Sequence, residues 1–107
     1  MGVTTSTTGA HFALQVLTAT TPVLVCFRAA WDPQSQHQRD VLRQIAQTLT
    51  HRVQIVCIDV DREPELAVHY QVWLLPTLVL LCGGRQVHRI DGAAPAPLIL
   101  RELTALL

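Results

Sequence analysis

The sequence predicts one α/β domain, residues 1–107, with a central mixed sheet of four to five strands flanked by helices on both faces. The length of 107 residues fits a single domain. Short apolar runs alternate with helical patterns in the first half, which favours parallel strands joined by right-handed crossovers. In the second half a glycine pair, Gly83-Gly84, separates two strand-like runs and predicts an antiparallel hairpin.

Continuous apolar runs define the strands. A short edge strand is expected from Val3 to Thr5, ahead of four longer runs. Runs without polar alternation are typical of strands covered on both faces. The longer predicted strands are the largely apolar stretches Val23–Phe27, Val53–Ile58 and Thr77–Cys82, followed by Gln86–Ile90 as the returning strand of the hairpin.

Apolar residues at helical spacing predict four helices. The first has about ten residues, with capping candidates before it and one buried face. Its candidate caps are Thr7, Thr8 and Gly9, and its buried face is Phe12, Val16 and Leu17. The other three helices are expected at Gln36–Leu49, Glu63–Tyr70 and from Pro95 and Pro97 to Leu107.

The second helix divides into an apolar and a polar face. The inner stripe is predicted to be Val41, Leu42, Ile45, Ala46 and Leu49. The polar residues are assigned to solvent, and they are Gln38, Arg39, Arg43, Gln44 and Gln47.

The composition argues against several functional classes. Eight basic and eight acidic residues balance to zero, so no electrostatic footprint for nucleic acid or an anionic membrane is present. No apolar run approaches the ~20 residues of a membrane span, and no signal-peptide pattern opens the chain, so a cytoplasmic location is expected. The five histidines are scattered and are expected on the surface, and neither a metal nor another cofactor is predicted.

The three cysteines, Cys26, Cys57 and Cys82, form no C-x-x-C pair. Cys26 and Cys57 lie inside apolar runs on strands expected to be neighbours, where disulfide geometry is seldom suitable. Cys82 lies at a strand end beside the hairpin glycines. It is therefore the thiol expected to be most exposed, and the candidate for a reactive thiol.

The stretch from Trp31 to Ser35 is the central candidate site. It connects a buried strand to a long helix, and ligands of open α/β sheets bind at such carboxyl ends. Asp32 fits an N-cap and Pro33 the first helical position. A carboxylate at this cap is expected to stabilise the helix by about 1 kcal/mol.

Several segments, in this order and spacing, resemble the thioredoxin family over nearly the whole chain. The resemblance implies the thioredoxin fold, a cis peptide bond at Pro76 and a peptide groove. The segments are Pro22-Val23-Leu24-Val25 with Phe27, Ala30-Trp31, Asp59-Val60-Asp61, Tyr70-Gln71-Val72, Leu75-Pro76-Thr77-Leu78, Gly84 and Gly92.

The catalytic motif of that family is missing. Where it has Cys-Gly-Pro-Cys, this chain has Asp32-Pro33-Gln34-Ser35. Thiol–disulfide exchange needs an attacking thiolate and a second thiol, and neither Asp32 nor Ser35 provides one. The family's buried acid and lysine correspond to Cys26 and Cys57. The resemblance therefore implies a vestigial redox site without catalytic residues.

The family's peptide groove maps onto residues that this chain retains. The corresponding residues are Trp31, Leu75, Pro76, Gly92 and Ala93, with Trp73 and Leu74 making the groove more apolar than usual. Exposed apolar patches often mark protein contacts. The alternative is that Trp73 and Leu74 pack on the short third helix.

The leading hypothesis is a redox-inactive thioredoxin-like protein that binds a protein or peptide client, in assembly or as a chaperone. The alternative is an atypical oxidoreductase that uses one remaining thiol, most plausibly Cys82, so enzymatic activity stays undecided. The last helix, Leu98–Leu107, carries more apolar residues than one stripe needs. That surplus fits either a homodimer or larger complex, or simply apolar surface.

Overall fold

A computed structural model describes residues 3–4 and 12–107 of the chain. Five strands form one sheet in the order β1-β3-β2-β4-β5. β2 is parallel to β3 and antiparallel to β4, and β5 is antiparallel to β4, so the sheet is mixed as expected. The strands are β1 (Val3–Thr4), β2 (Val23–Arg28), β3 (Gln54–Asp59), β4 (Thr77–Cys82) and β5 (Arg85–Asp91).

Four helices accompany the sheet. The first, α1, is a short π-helical segment rather than a helix of about ten residues, and its predicted caps Thr7, Thr8 and Gly9 lie outside the described residues. α3 is bounded by Glu63 and Tyr70, in agreement with the sequence. The helices are α1 (Ala13–Leu17), α2 (Pro33–Thr48), α3 (Pro64–His69) and α4 (Ala96–Thr104).

Both faces of the sheet are covered. Alternate residues of β2 point to opposite sides, so Leu24 and Cys26 pack under α2 and α4. Val25 and Phe27 pack on the other side with residues of α1 and α3. This arrangement is the thioredoxin fold that the resemblance implied.

Three residues lie elsewhere than the sequence suggested. Gln38 was assigned to solvent but is completely buried, because hydrogen bonds to Ala94 satisfy its side-chain amide. Leu17 is predicted on the buried face of α1 but is about half exposed, since α1 is a short π-helical segment whose wider turn does not follow the α-helical spacing of the prediction. His88, expected on the surface, is partly buried against Glu102 of α4.

Strand registers bring four loops to one edge of the sheet. Phe27 aligns with Thr77, and Arg28 aligns with Asp59. Thr77 in turn aligns with Asp91. The loops that follow β2, β3 and β5, and the loop that precedes β4, therefore meet where β2 ends.

Candidate functional site

The turn after β2 is a capped helix start. Asp32 has extended backbone angles, and its Oδ2 accepts a hydrogen bond from the backbone N–H of Ser35 at 2.9 Å. The Ser35 hydroxyl donates to the same oxygen at 2.8 Å. Pro33 occupies the first helical position, where a missing N–H costs nothing. The predicted cap is confirmed.

The side chain of Ser35 is hydrogen bonded on both sides of the turn. Its side chain is buried, and its hydroxyl accepts a hydrogen bond from the backbone N–H of Ala29 at 3.3 Å while it donates to Asp32. The hydroxyl thus joins the last part of the turn to the end of β2. The chemistry of this position is structural hydrogen bonding.

Trp31 is exposed beside the turn, with 67% of its surface accessible. Its indole N–H donates to Oδ2 of Asp61 at 2.8 Å. The backbone N–H of Asp61 donates in turn to Oδ1 of Asp59, at the end of β3, at 2.9 Å. These hydrogen bonds hold the Trp31 ring beside the loop that follows β3.

The loop before β4 contains the expected cis peptide bond, between Leu75 and Pro76. The buried hydroxyl of Thr77 donates to the carbonyl of Leu74 at 2.6 Å. The backbone N–H of Gly92 donates to the carbonyl of Pro76 at 2.8 Å. The structure thus brings together the cis-proline loop and the glycine that the sequence assigned to one groove.

Trp73 and Leu74 lie on the same loop, and both are more than half exposed. Trp73 is 81% exposed and Leu74 is 56% exposed. Both line an open cleft of about 420 Å³ that Gln86 and Arg89 of β5 close on its other side. Trp73 therefore reaches towards β5, whereas Trp31 reaches towards β3.

Arg89 holds the start of this loop. Its guanidinium donates to the carbonyls of Tyr70 and Gln71, the latter at 2.5 Å, and to Oδ1 of Asp91 at 2.8 Å. A planar guanidinium can make such divergent bonds at once, which an ammonium group cannot do with fixed geometry. Gln71, at a φ of 54°, is thereby held in the left-handed region.

The site has three walls, which are the turn after β2, the cis-proline loop and the loop after β5. Gly92 has a φ of 86°, which favours glycine, and Ala93 is exposed next to it. Ala94 is buried, and both of its backbone polar groups are hydrogen bonded to the side chain of Gln38.

The cysteines lie away from this surface. Cys26 and Cys57 are buried and directly paired in the register of β2 and β3. The hydrogen bond with Cys57, and then burial, hold the pKa of Cys26 well above its usual range. Cys82 is the most accessible of the three, but it ends β4 five residues beyond Thr77, which is roughly 17 Å at the rise of a strand.

Across residues 3–4 and 12–107, no three side chains of histidine, cysteine, aspartate or glutamate converge as metal ligands would. Within the same part of the chain, no helix is long and apolar enough to cross a bilayer. Around α4, Leu98, Leu100 and Leu107 pack on the core, and Leu106 is the exposed leucine, at 45%.

The sequence does not indicate the contacts of three residues of the site, Asp61, Arg89 and Gln38. Asp61 follows a predicted strand and Arg89 lies in a predicted strand, and neither pattern points to a partner. Gln38 had a usable signal, because it lies three residues after Ser35 and four before Leu42, on the inward stripe of α2.

Comparisons with known proteins agree with this geometry. The family model described as thioredoxin matches residues 3–105. A thioredoxin-like protein of Synechocystis is 38% identical over 94 residues, which cover 88% of this chain and 90% of that protein. A thioredoxin of Mycobacterium tuberculosis is 40% identical over 101 residues, which cover 94% of this chain and 87% of that protein.

A solved structure extends the agreement to three dimensions. The crystal structure of chloroplastic thioredoxin z matches with a TM-score of 0.86 and 26% identity, and the match covers 99% of this chain and 96% of that one. With the family model spanning nearly the whole sequence, the chain belongs to the thioredoxin family.

Proposed function

We propose that this member of the thioredoxin family is redox-inactive and uses its groove to bind extended segments of other proteins, in assembly or as a chaperone. The first support is the turn itself. Asp32 and Ser35 stand where the family motif has its two cysteines, and both side chains are engaged in capping α2. A turn without a thiolate has no group that attacks a disulfide.

The positions of the remaining thiols add to this support. Cys26 and Cys57 are buried below the turn. Cys82 ends β4 at the edge of the sheet opposite the cis-proline loop. A substrate disulfide held at Pro76 would therefore lie roughly 20 Å from the accessible thiol.

The observation that carries the binding proposal is the exposed apolar surface along the edge. Trp31, Trp73 and Leu74 are all more than half exposed and lie on loops held by hydrogen bonds. Large aromatic side chains dominate contact energies when a partner buries them. Large apolar side chains exposed to solvent in this way are typical of an interaction site.

An extended segment fits this surface better than a folded ligand. The cis-proline loop and the loop after β5 lie side by side, joined by the hydrogen bond from Gly92 to Pro76, and the segment would lie along Leu75, Pro76, Gly92 and Ala93. Backbone hydrogen bonds near Pro76 would hold the segment irrespective of its sequence, while the two tryptophans would contact its side chains. For a relative, chloroplastic thioredoxin z, the published structure is described as defining type-specific target recognition.

Binding can be measured with a thiol-free unfolded protein, reduced and carboxymethylated α-lactalbumin, labelled for fluorescence anisotropy. We expect wild type to bind it and Trp73→Ser to weaken binding about tenfold or more, as for an aromatic hot spot. Leu106→Ser removes an exposed apolar side chain remote from the groove and serves as the matched control. Equal affinity of wild type and both variants would show that the groove is the wrong surface.

The enzyme alternative has its own experiment, the reduction of insulin by dithiothreitol with the protein as catalyst. We expect wild type and Cys82→Ser to leave the uncatalysed rate unchanged. Thiol-dependent turnover that Cys82→Ser abolishes would instead establish the single-thiol oxidoreductase. The three free thiols support a reducing compartment, and we propose the cytoplasm as the place where this binding occurs.

A further inference from the structure

We propose that Gln38 is a positioning residue that sets the width of the groove by fixing the loop at Ala94. This inference deepens the binding function proposed above and rests on it. Gln38 lies on α2, beneath the surface, and its side chain is fully buried. Its Nε2 donates to the carbonyl of Ala94 at 3.0 Å, and its Oε1 accepts from the N–H of Ala94 at 2.8 Å.

These two hydrogen bonds provide partners for both backbone polar groups of the buried Ala94, its N–H and its carbonyl. Ala94 lies in a loop, where no neighbouring strand supplies partners for its N–H and carbonyl. A primary amide offers one acceptor and one donor side by side, which matches the two backbone groups of one residue. An apolar side chain of the same length would fill the space but leave both backbone groups buried without partners, which costs free energy.

The loop is held at two points with the exposed residue between them. Gly92 is hydrogen bonded through its N–H to the carbonyl of Pro76. Ala94 is hydrogen bonded to Gln38. Ala93 therefore bridges the cis-proline loop and α2, and the bond at Gln38 sets how far it stands from Trp31 and the start of the helix.

The distribution of buried polar side chains supports a role in the groove rather than general stability. Within the described part of the chain, the fully buried polar side chains are Ser35, Gln38 and Thr77. Ser35 fixes the turn after β2, and Thr77 fixes the cis-proline loop. Gln38 fixes the remaining wall, so each of the three walls is held by one buried polar side chain.

Two variants separate positioning from packing. Gln38→Met keeps the length of the side chain and removes both hydrogen bonds. Gln38→Glu can keep both hydrogen bonds only while its side chain is protonated. A neutral carboxyl donates and accepts, whereas a carboxylate cannot donate to the Ala94 carbonyl. Burial favours the neutral form at mildly acidic pH. Gln44→Met, on the exposed side of α2, is the control for the loss of a glutamine.

The experiment measures amide hydrogen exchange at Ala94 by NMR together with the affinity for carboxymethylated α-lactalbumin. Gln38→Met is expected to speed exchange at Ala94 and to weaken binding about tenfold, while Gln44→Met changes neither. Gln38→Glu is expected to bind the probe as tightly as wild type at about pH 5 and more weakly than wild type at about pH 8. His37 lines the surface beside Ala93 and Ala94, so wild type is measured at each pH as reference.

Faster exchange at Ala94 with unchanged affinity in Gln38→Met would overturn the inference and leave the binding function intact. A wild type that does not bind the probe would overturn both, and that result is recognised without any variant. If Gln38→Met does not fold, the pH series of Gln38→Glu decides, because affinity that follows wild type at every pH would equally overturn the role of Gln38.

Discussion

One carboxylate oxygen of Asp32 accepts two hydrogen bonds from Ser35, one from its backbone N–H and one from its hydroxyl. The two residues occupy the positions of the family's paired cysteines. The positive end of a helix that would stabilise a thiolate at the first position here stabilises a carboxylate. The positive end of α2 therefore faces a capping carboxylate here, where the family motif has a sulfur.

Removal of this cap should have a measurable cost. Asp32→Ala is expected to lower the free energy of unfolding by about 1 kcal/mol, because the N–H and hydroxyl of Ser35 lose their acceptor. Asp32→Asn keeps an acceptor oxygen and should lose less. Urea unfolding followed by circular dichroism measures both. An Asp32→Ala variant as stable as wild type would show that Asp32 contributes nothing as a cap.

The sequence predicted the fold and the cap because both follow from local rules. Apolar runs, the Gly83-Gly84 turn and the Asp32-Pro33 helix start each act over a few residues. The cis-proline loop and the glycine after β5 came from resemblance, and the structure brings them together through the bond from Gly92 to Pro76.

The missed contacts depend on pairs far apart in sequence. Gln38 and Ala94 are 56 residues apart, and a single sequence carries no signal that a polar side chain on an inward stripe has such a partner. The prediction therefore places Gln38 in solvent because its side chain is polar, although its position on α2 faces the core. Arg89 likewise reaches the carbonyls of Tyr70 and Gln71, which local patterns cannot reveal.

Burial predicts the reactivity of the three thiols. At neutral pH, iodoacetamide is expected to modify Cys82 in the folded protein and to reach Cys26 and Cys57 only after unfolding, since both are buried. The raised pKa of Cys26 makes its thiolate scarcer still. Mass spectrometry counts the labels, and Cys82→Ser should take up none while folded. Rapid native labelling of Cys26 would contradict the assigned burial.

A further prediction concerns whether the C-terminal segment, Leu98–Leu107, forms an interface between copies of the chain. Leu106 is exposed, whereas Leu98, Leu100 and Leu107 are partly buried against the core, and a stable interface needs about 800 Å² per partner. Wild type and Leu106→Glu are therefore both expected to be monomers by light scattering at micromolar concentration. A dimer that Leu106→Glu dissociates would instead identify α4 as the docking surface.

Tyr70 should make the fold sensitive to alkaline pH. Its ring packs against Phe12 and Phe27, with centroids 5.9 Å and 5.6 Å away, and burial raises its pKa. The unfolded chain therefore releases the phenolic proton first. The contribution to stability is complete below about pH 10 and is lost as the pH rises through the higher pKa of the folded state.

The chain has one tyrosine, so the absorbance of the phenolate reports on Tyr70 alone. A pH titration followed by the absorbance of the phenolate should have a midpoint at higher pH for the folded protein than for the urea-unfolded protein. Tyr70→Phe should lose less stability than wild type between about pH 9 and about pH 12. A folded-state midpoint at or below that of the unfolded chain would mean that the ring is not buried between Phe12 and Phe27.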